Sequence, residues 1–373
     1  MKKKLFFLAV AGLVLASCSN DETVAVNNGD AISFRPFSSG MTRAVDAHFN
    51  QVNDEFKVTA FPQGTTTTAY FSNVVFRGDG TNFTSTSQKY YWPSGTNLDF
   101  YAWAPAAQSN NYASIPVLVA SDAASQIDLV YAKTLDWGKV ALQTGTPAGH
   151  RIDGSTVQGV TINFRHAESR VVIKLKNSNS NLDITVKNAT IGNVIGSGTF
   201  SIAETNTDGQ GTARITSGWG SLGAATAIYS QDITPAVFTT ETQAGDAMIL
   251  IPQTLTNASA YANSGTAAAG DVFTAPYIKV SLKIQNHADG SYIVGAASGV
   301  NEYVEALFPL PTMTWNPGYV YNYIVDLAGG GYFTTNQDDN EDLDPILEGA
   351  EIKFVNVTLD VWEVTAGTNI SAP

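Results

Sequence analysis

The residues able to do chemistry are few and far apart. The histidines His48, His150, His166 and His287 form no HxH or HxxxH pair of the kind that ligates a metal, so each reads as a strand or surface residue. There is no GxSxG nucleophile elbow, P-loop or GxGxxG turn. Gly196-Ser197-Gly198 sits between two strand-like runs and reads as a turn. The acid run Asp338-Asp339-Asn340-Glu341-Asp342-Leu343-Asp344 has the D-x-N-x-D start of a calcium loop. Leu343 stands where that loop needs glycine and Gly349 where it needs glutamate, so the run reads as a solvated loop. The aromatics Tyr90, Tyr91, Trp92, Tyr101 and Trp103 could stack on sugar rings, but aromatics at alternate strand positions are more often core. No catalytic constellation, metal site or cofactor is expected.

One side chain does carry a specific chemistry. Cys18 is the single cysteine of the 373 residues, which excludes an intrachain disulfide and Cys-based zinc or iron–sulfur sites. Lys2, Lys3 and Lys4 precede an apolar run from Leu5 to Leu15. That run is too short to cross a bilayer about 30 Å thick and reads as a secretory signal. Leu15-Ala16-Ser17-Cys18 resembles a bacterial lipobox, whose cysteine is lipidated and becomes the mature N-terminus. Removing residues 1–17 takes three lysines and no acid, so the net charge moves from −13 to −16. Ser19-Asn20-Asp21-Glu22 then resembles the acidic export tags of Bacteroidetes surface lipoproteins. The acidic balance, without basic patches, argues against a nucleic-acid partner.

The body that these features would deliver is β throughout. Val171–Lys176 and Tyr277–Ile284 alternate apolar and polar residues, the period of half-buried strands. Tyr319–Leu327 and Phe354–Trp362 do much the same. Gly78-Asp79-Gly80, Pro93-Ser94-Gly95, Asp208-Gly209, Asp289-Gly290 and Asn316-Pro317-Gly318 punctuate them as turns. Many short strands with regular turns predict an all-β chain of packed sheets. The turn-rich stretch over residues 145–160 places a boundary between two β-sandwiches, 44–155 and 156–373, after a signal at 1–17 and a tether and first strand at 18–43.

Taken together these stretches resemble the fimbrillin family of Bacteroidetes lipoproteins, the subunits of type V pili. The likeness rests on Ile32-Ser33-Phe34, Met41-Thr42-Arg43-Ala44, Phe56–Phe61, Tyr91-Trp92-Pro93, Leu98–Pro105 and Asp128–Ala132. It continues through Phe164-Arg165-His166-Ala167-Glu168-Ser169-Arg170-Val171, Ile249–Gln253, Trp315–Tyr321 and the closing strand with Trp362, and so covers nearly the whole length. It implies two tandem transthyretin-like β-sandwiches and a lipoprotein precursor displayed on the cell outer membrane. It further implies a cut after an N-terminal arginine that removes the first strand, baring a groove that a strand from the next subunit fills.

The sequence supplies a part for each of these steps. Arg43 lies in the small-residue stretch Ser38–Arg43 that a protease could enter, and Arg35 lies inside the strand expected at 31–37. The released strand would carry Ile32 and Phe34 on one face. Val355, Val357, Leu359 and Val361 share a face of the closing strand and form the candidate donor. The resemblance therefore implies a stalk, tip or accessory subunit serving adhesion and biofilm formation, with other fimbrial subunits and the outer membrane as partners. A non-polymerising surface lipoprotein that binds glycans through exposed aromatics is the alternative.

Overall fold

The structure, a computed structural model, describes residues 31–37, 53–79, 82–139, 151–152, 159–203, 215, 217–256, 269–270, 272–338, 342–349 and 354–362. Within them the first strands are β1 (Phe34–Phe37), β2 (Glu55–Pro62), β3 (Phe71–Gly78), β4 (Phe83–Ser85) and β5 (Leu98–Ala104). They continue with β6 (Ile115–Leu118), β7 (Val130–Lys139), β8 (Arg151–Ile152), β9 (Val160–Asn163) and β10 (Arg165–His166). The later part holds β11 (Ser169–Lys176), β12 (Leu182–Val194), β13 (Ser197–Phe200), β14 (Trp219–Gly220), β15 (Ala227–Val237), β16 (Thr242–Gln243) and β17 (Met248–Leu250). It ends with β18 (Thr254–Leu255), β19 (Tyr277–Asn286), β20 (Tyr292–Val294), β21 (Val304–Pro309), β22 (Met313–Thr314), β23 (Tyr319–Asp326), β24 (Tyr332–Phe333) and β25 (Phe354–Val361). The chain is all-β, as the alternation and turn spacing predict, and no α-helix occurs among the described residues.

A nine-stranded sheet runs in the order β10-β7-β5-β2-β3-β4-β1-β9, with β8 beside β7. Its middle strands explain an irregularity of the sequence. Leu98–Ala104 is buried at every position rather than at alternate ones. Leu98, Phe100 and Ala102 point into a core built with Phe34, Phe56 and Phe76, whereas Tyr101 and Trp103 point into a second core shared with the later half. A strand buried on both faces needs apolar residues on both, so the period of two fades.

The later half is a β-sandwich. A five-stranded sheet (β16-β11-β23-β25, with β17 on β11) faces a six-stranded one (β15-β12-β19-β21-β24, with β20 on β19). Val171, Ile173 and Leu175 of β11 meet Ile278, Val280 and Leu282 of β19 in one buried cluster. In β12 the register shifts between Val186 and Asn188 against both neighbours. This bulge moves the inward set from Ile184 and Val186 to Ala189 and Ile191, and so lets a 13-residue strand keep one face on the core.

The two halves are joined by a three-stranded sheet, β14-β13-β6, whose middle strand overturns one sequence expectation. Gly196-Ser197-Gly198 is not a turn. Ser197 and Gly198 begin β13 and pair with Leu118 and Val117. Gly198 is buried, and a Cβ there would lie 2.9 Å from Leu222 Cδ2, so the glycine serves close approach rather than chain reversal.

Candidate functional site

The first strand is a plug in its sheet. Ile32 and Phe34, two positions apart, are both buried, as their shared face requires. Phe34 has no exposed surface and meets Phe76, Phe100 and Phe56 edge-on at centroid distances of 4.6, 5.1 and 5.8 Å. Such edge-to-face contacts add to the burial of the ring itself. β1 touches β4 through one pair, Phe34 with Phe83, and runs parallel to β9 over four pairs, from Phe34 with Val160 to Phe37 with Asn163. Ile32 N donates to Tyr90 O at 2.6 Å, and Ser33 O accepts from Val160 N at 2.8 Å. Gly159 has φ +110°, and a Cβ there would lie 2.7 Å from Ser33 O, so only glycine lets the chain lie this close to β1. Taking β1 away would leave two strands with unpaired N–H and C=O groups flanking an aromatic hollow.

The candidate donor strand is docked in its own subunit. β25 is the edge of the five-stranded sheet and pairs antiparallel with β23, from Tyr319 with Val361 to Val325 with Phe354. Val357 and Leu359 are half-buried and pack on the later core. The side chains of Val355 and Val361 lie outside the described residues.

Where β25 ends, the structure gathers residues that sequence reasoning left as separate strand positions. The Trp362 indole lies parallel to the His166 ring at 3.8 Å, and Trp362 N donates to Gly318 O at 2.9 Å. His166 Nδ1 is 2.9 Å from Asp128 Oδ1, and both side chains are buried. Glu168, with no exposed surface, accepts from Leu129 N through both carboxylate oxygens, at 3.2 and 3.1 Å. Burial, and then the Asp128 carboxylate beside it, push the Glu168 carboxyl well above the ordinary carboxylate range. The signal for this cluster was present as charged residues inside two apolar runs, Asp128–Ala132 and Phe164–Val171. Nothing in their spacing shows that the runs meet.

The other candidate residues fall as follows. Cys18 and Arg43 lie outside the described residues. Trp92, Tyr101 and Trp103 are core side chains, Tyr90 is half-buried and Tyr91 is exposed. In the acidic run, Asp344 is buried and its carboxylate accepts from the backbone N–H groups of Gln337 and Asp338. Residues 339–341 lie outside the described residues. Among the described residues no group of three His, Cys, Asp or Glu is arranged to hold a metal ion, and no helix is long and apolar enough to cross a membrane.

The sequence profile of the fimbrillin-like family matches residues 42–338. The chain belongs to that family. This fimbrillin-like chain is similar to a fimbrial protein from Bacteroides vulgatus, at 12% identity over 89% of this chain and 99% of that one, with a TM-score of 0.48. It is also similar to candidate cell adhesion proteins from Bacteroides ovatus (16%, 84% and 98%, 0.46) and Bacteroides uniformis (15%, 89% and 98%, 0.42). No curated protein matches the fimbrillin-like chain significantly.

Proposed function

We propose that the chain is a fimbrial subunit: exported as a lipoprotein through Cys18, matured by a cut after Arg43 and assembled by donor-strand exchange. It then serves adhesion and biofilm formation at the cell surface. Family membership supports the fimbrial role. The observation that carries the exchange step is the plug geometry of β1. A four-residue strand supplies the ring at the centre of an aromatic core and reaches β4 through a single pair. Arg43 follows Phe37, the last described residue of β1, by six residues in the sequence.

The physics of exchange follows from tethering. While β1 is covalently attached, its effective concentration at the groove is high, on the order of millimolar for a short linker. A cut after Arg43 would turn it into a separate peptide held by one strand's hydrogen bonds and two apolar side chains. A strand from another subunit could then replace it, restoring the hydrogen bonds of β4 and β9 and refilling the hollow lined by Phe56, Phe76 and Phe100. In this reading β25, an edge strand with alternating apolar residues, is the donor. Because Cys18 lies upstream of Arg43, the same cut would separate the body from its lipid anchor.

The test is the N-terminus of the surface-displayed form. Sequencing of sheared surface material should show fibres whose subunits begin at Ala44, and Arg43→Ala should leave anchored monomers. Fibres formed equally well by Arg43→Ala in the presence of the protease would sink the maturation step.

A further inference from the structure

The seam where β25 ends holds three buried titratable side chains that strand exchange does not use, Asp128, His166 and Glu168. We infer that they form a proton-operated latch on the C-terminal strand: while Glu168 carries its proton the seam is closed with Trp362 stacked on His166, and loss of that proton frees the end of β25.

The connection from Glu168 to the strand is a short relay of backbone bonds. Glu168 O accepts from Gly318 N at 2.7 Å, and Gly318 O accepts from Trp362 N at 2.9 Å. Side chains lie alongside it: Glu168 accepts from the backbone N–H of Leu129, next to Asp128, Asp128 Oδ1 is 2.9 Å from His166 Nδ1, and the His166 ring stacks on the Trp362 indole. Ionising Glu168 places a charge close to the Asp128 carboxyl group where water does not reach, and the His166 imidazole already lies against Asp128 Oδ1. Asp128 Oδ2 is buried with no hydrogen-bond partner among the described residues, so this carboxylate has little means of absorbing added negative charge.

The surrounding elements bring other groups. Arg165 and Arg170 stand half-buried at the two ends of the turn. β7 brings Tyr131, whose hydroxyl accepts from Ile215 N, and β23 brings Tyr319 and Tyr321, the latter bonded to Thr314 O. β17 brings Met248, Ile249 and Leu250, none of them ionisable, and Asp360 lies on β25 itself. Because the folded protein holds Glu168 above its ordinary range, the latch is closed at low pH. It is lost as pH rises through the folded value. β25 is the element to yield, since as an edge strand it pairs with β23 alone. Its bearing on assembly rests on β25 being the donor, whereas the latch itself does not.

Hydrogen exchange of the full-length protein, read by mass spectrometry and corrected for intrinsic rates, tests it. As pH is raised from the ordinary carboxylate range to the alkaline limit of the fold, the protection of residues 354–361 should fall about tenfold or more while β12 and β19 hold theirs, and Glu168→Gln should abolish the fall. Flat wild-type protection across that range overturns the inference, as does a Gln variant that loses protection in step with wild type. Should Glu168→Gln not fold, the fluorescence difference between wild type and Trp362→Phe reads the same transition. Absence of a pH-dependent change in that difference also overturns it.

Discussion

At the scale of single residues, the fold is most exposed to failure where one side chain closes a packing problem that its neighbours cannot. Phe34 is the sharpest case, touching three other rings from a strand of four residues. Phe34→Ala should lower the stability of the uncut protein by about 3–5 kcal/mol in urea titration, because the rigid rings around it cannot collapse into the gap. A loss under about 1 kcal/mol would show that β1 is not part of the core. Gln253 closes a different problem. Its Oε1 accepts from Ile195 N at 2.8 Å, and its Nε2 donates to Ile251 O at 3.0 Å. Gln253→Leu keeps the volume but leaves those buried backbone groups unpaired, and should cost about 1–3 kcal/mol by the same measurement. Both residues lie in motifs visible in the sequence, Ile32-Ser33-Phe34 and Ile249–Gln253. That Phe34 is a hub and Gln253 a bracket for the backbone was not visible, since the rings around Phe34 and the Ile195 N–H that Gln253 reaches lie tens of residues away.

At the scale of elements, β1 and β25 are the two strands on which the exchange reading rests, the first lying between β4 and β9 and the second at a sheet edge. Gly159 sets how tightly the first is held. Gly159→Ala forces a side chain into a left-handed conformation and against Ser33 O, and should loosen the pairing of β1 with β9. After an arginine-specific cut, the N-terminal peptide should leave the Gly159→Ala protein about tenfold or more faster than wild type, measured by size separation of the cut material. Equal release rates would mean that β9 does not grip β1. For β25 the apolar alternation was legible, yet the same alternation fits a docked edge strand and a donated one. The structure shows it docked on β23 with Val357 and Leu359 on the core.

At the scale of the whole molecule, the notable feature is how thoroughly the halves share a core. Phe61, Tyr101, Trp103 and Tyr131 from the nine-stranded sheet lie in the same buried cluster as Phe200, Ile215 and Ile251 from later in the chain. Ile215 N donates to Tyr131 Oη at 2.6 Å, and Ile249 N to Gln126 Oε1 at 2.6 Å, so buried hydrogen bonds also cross the seam. Calorimetry should therefore show one unfolding transition rather than two. Tyr131→Phe should shift it downward as a single peak by about 1–2 kcal/mol. Two resolved transitions, with only one moved by Tyr131→Phe, would refute the shared core. The stretch from Thr144 to Ser155 reads in sequence as a boundary, but strand pairing carries the first sheet on through β9 and β10 to His166. Turn residues mark where the chain bends. They do not mark where its cores divide.

What the sequence determined by itself was whatever depends on local period and punctuation. Alternation in β11, β19, β23 and β25 identified strands. Turn residues separated them, and the order of short motifs matched one family. What only the tertiary structure decided was the outcome of long-range meetings: β1 entering between β4 and β9, β13 forming where glycines suggested a turn, and Asp128, His166, Glu168 and Trp362 converging from three parts of the chain. The physical reason is the same each time. A residue's neighbours along the chain fix its backbone and the face it presents, while the energy of a buried ring or carboxyl is set by groups that the fold alone brings into contact.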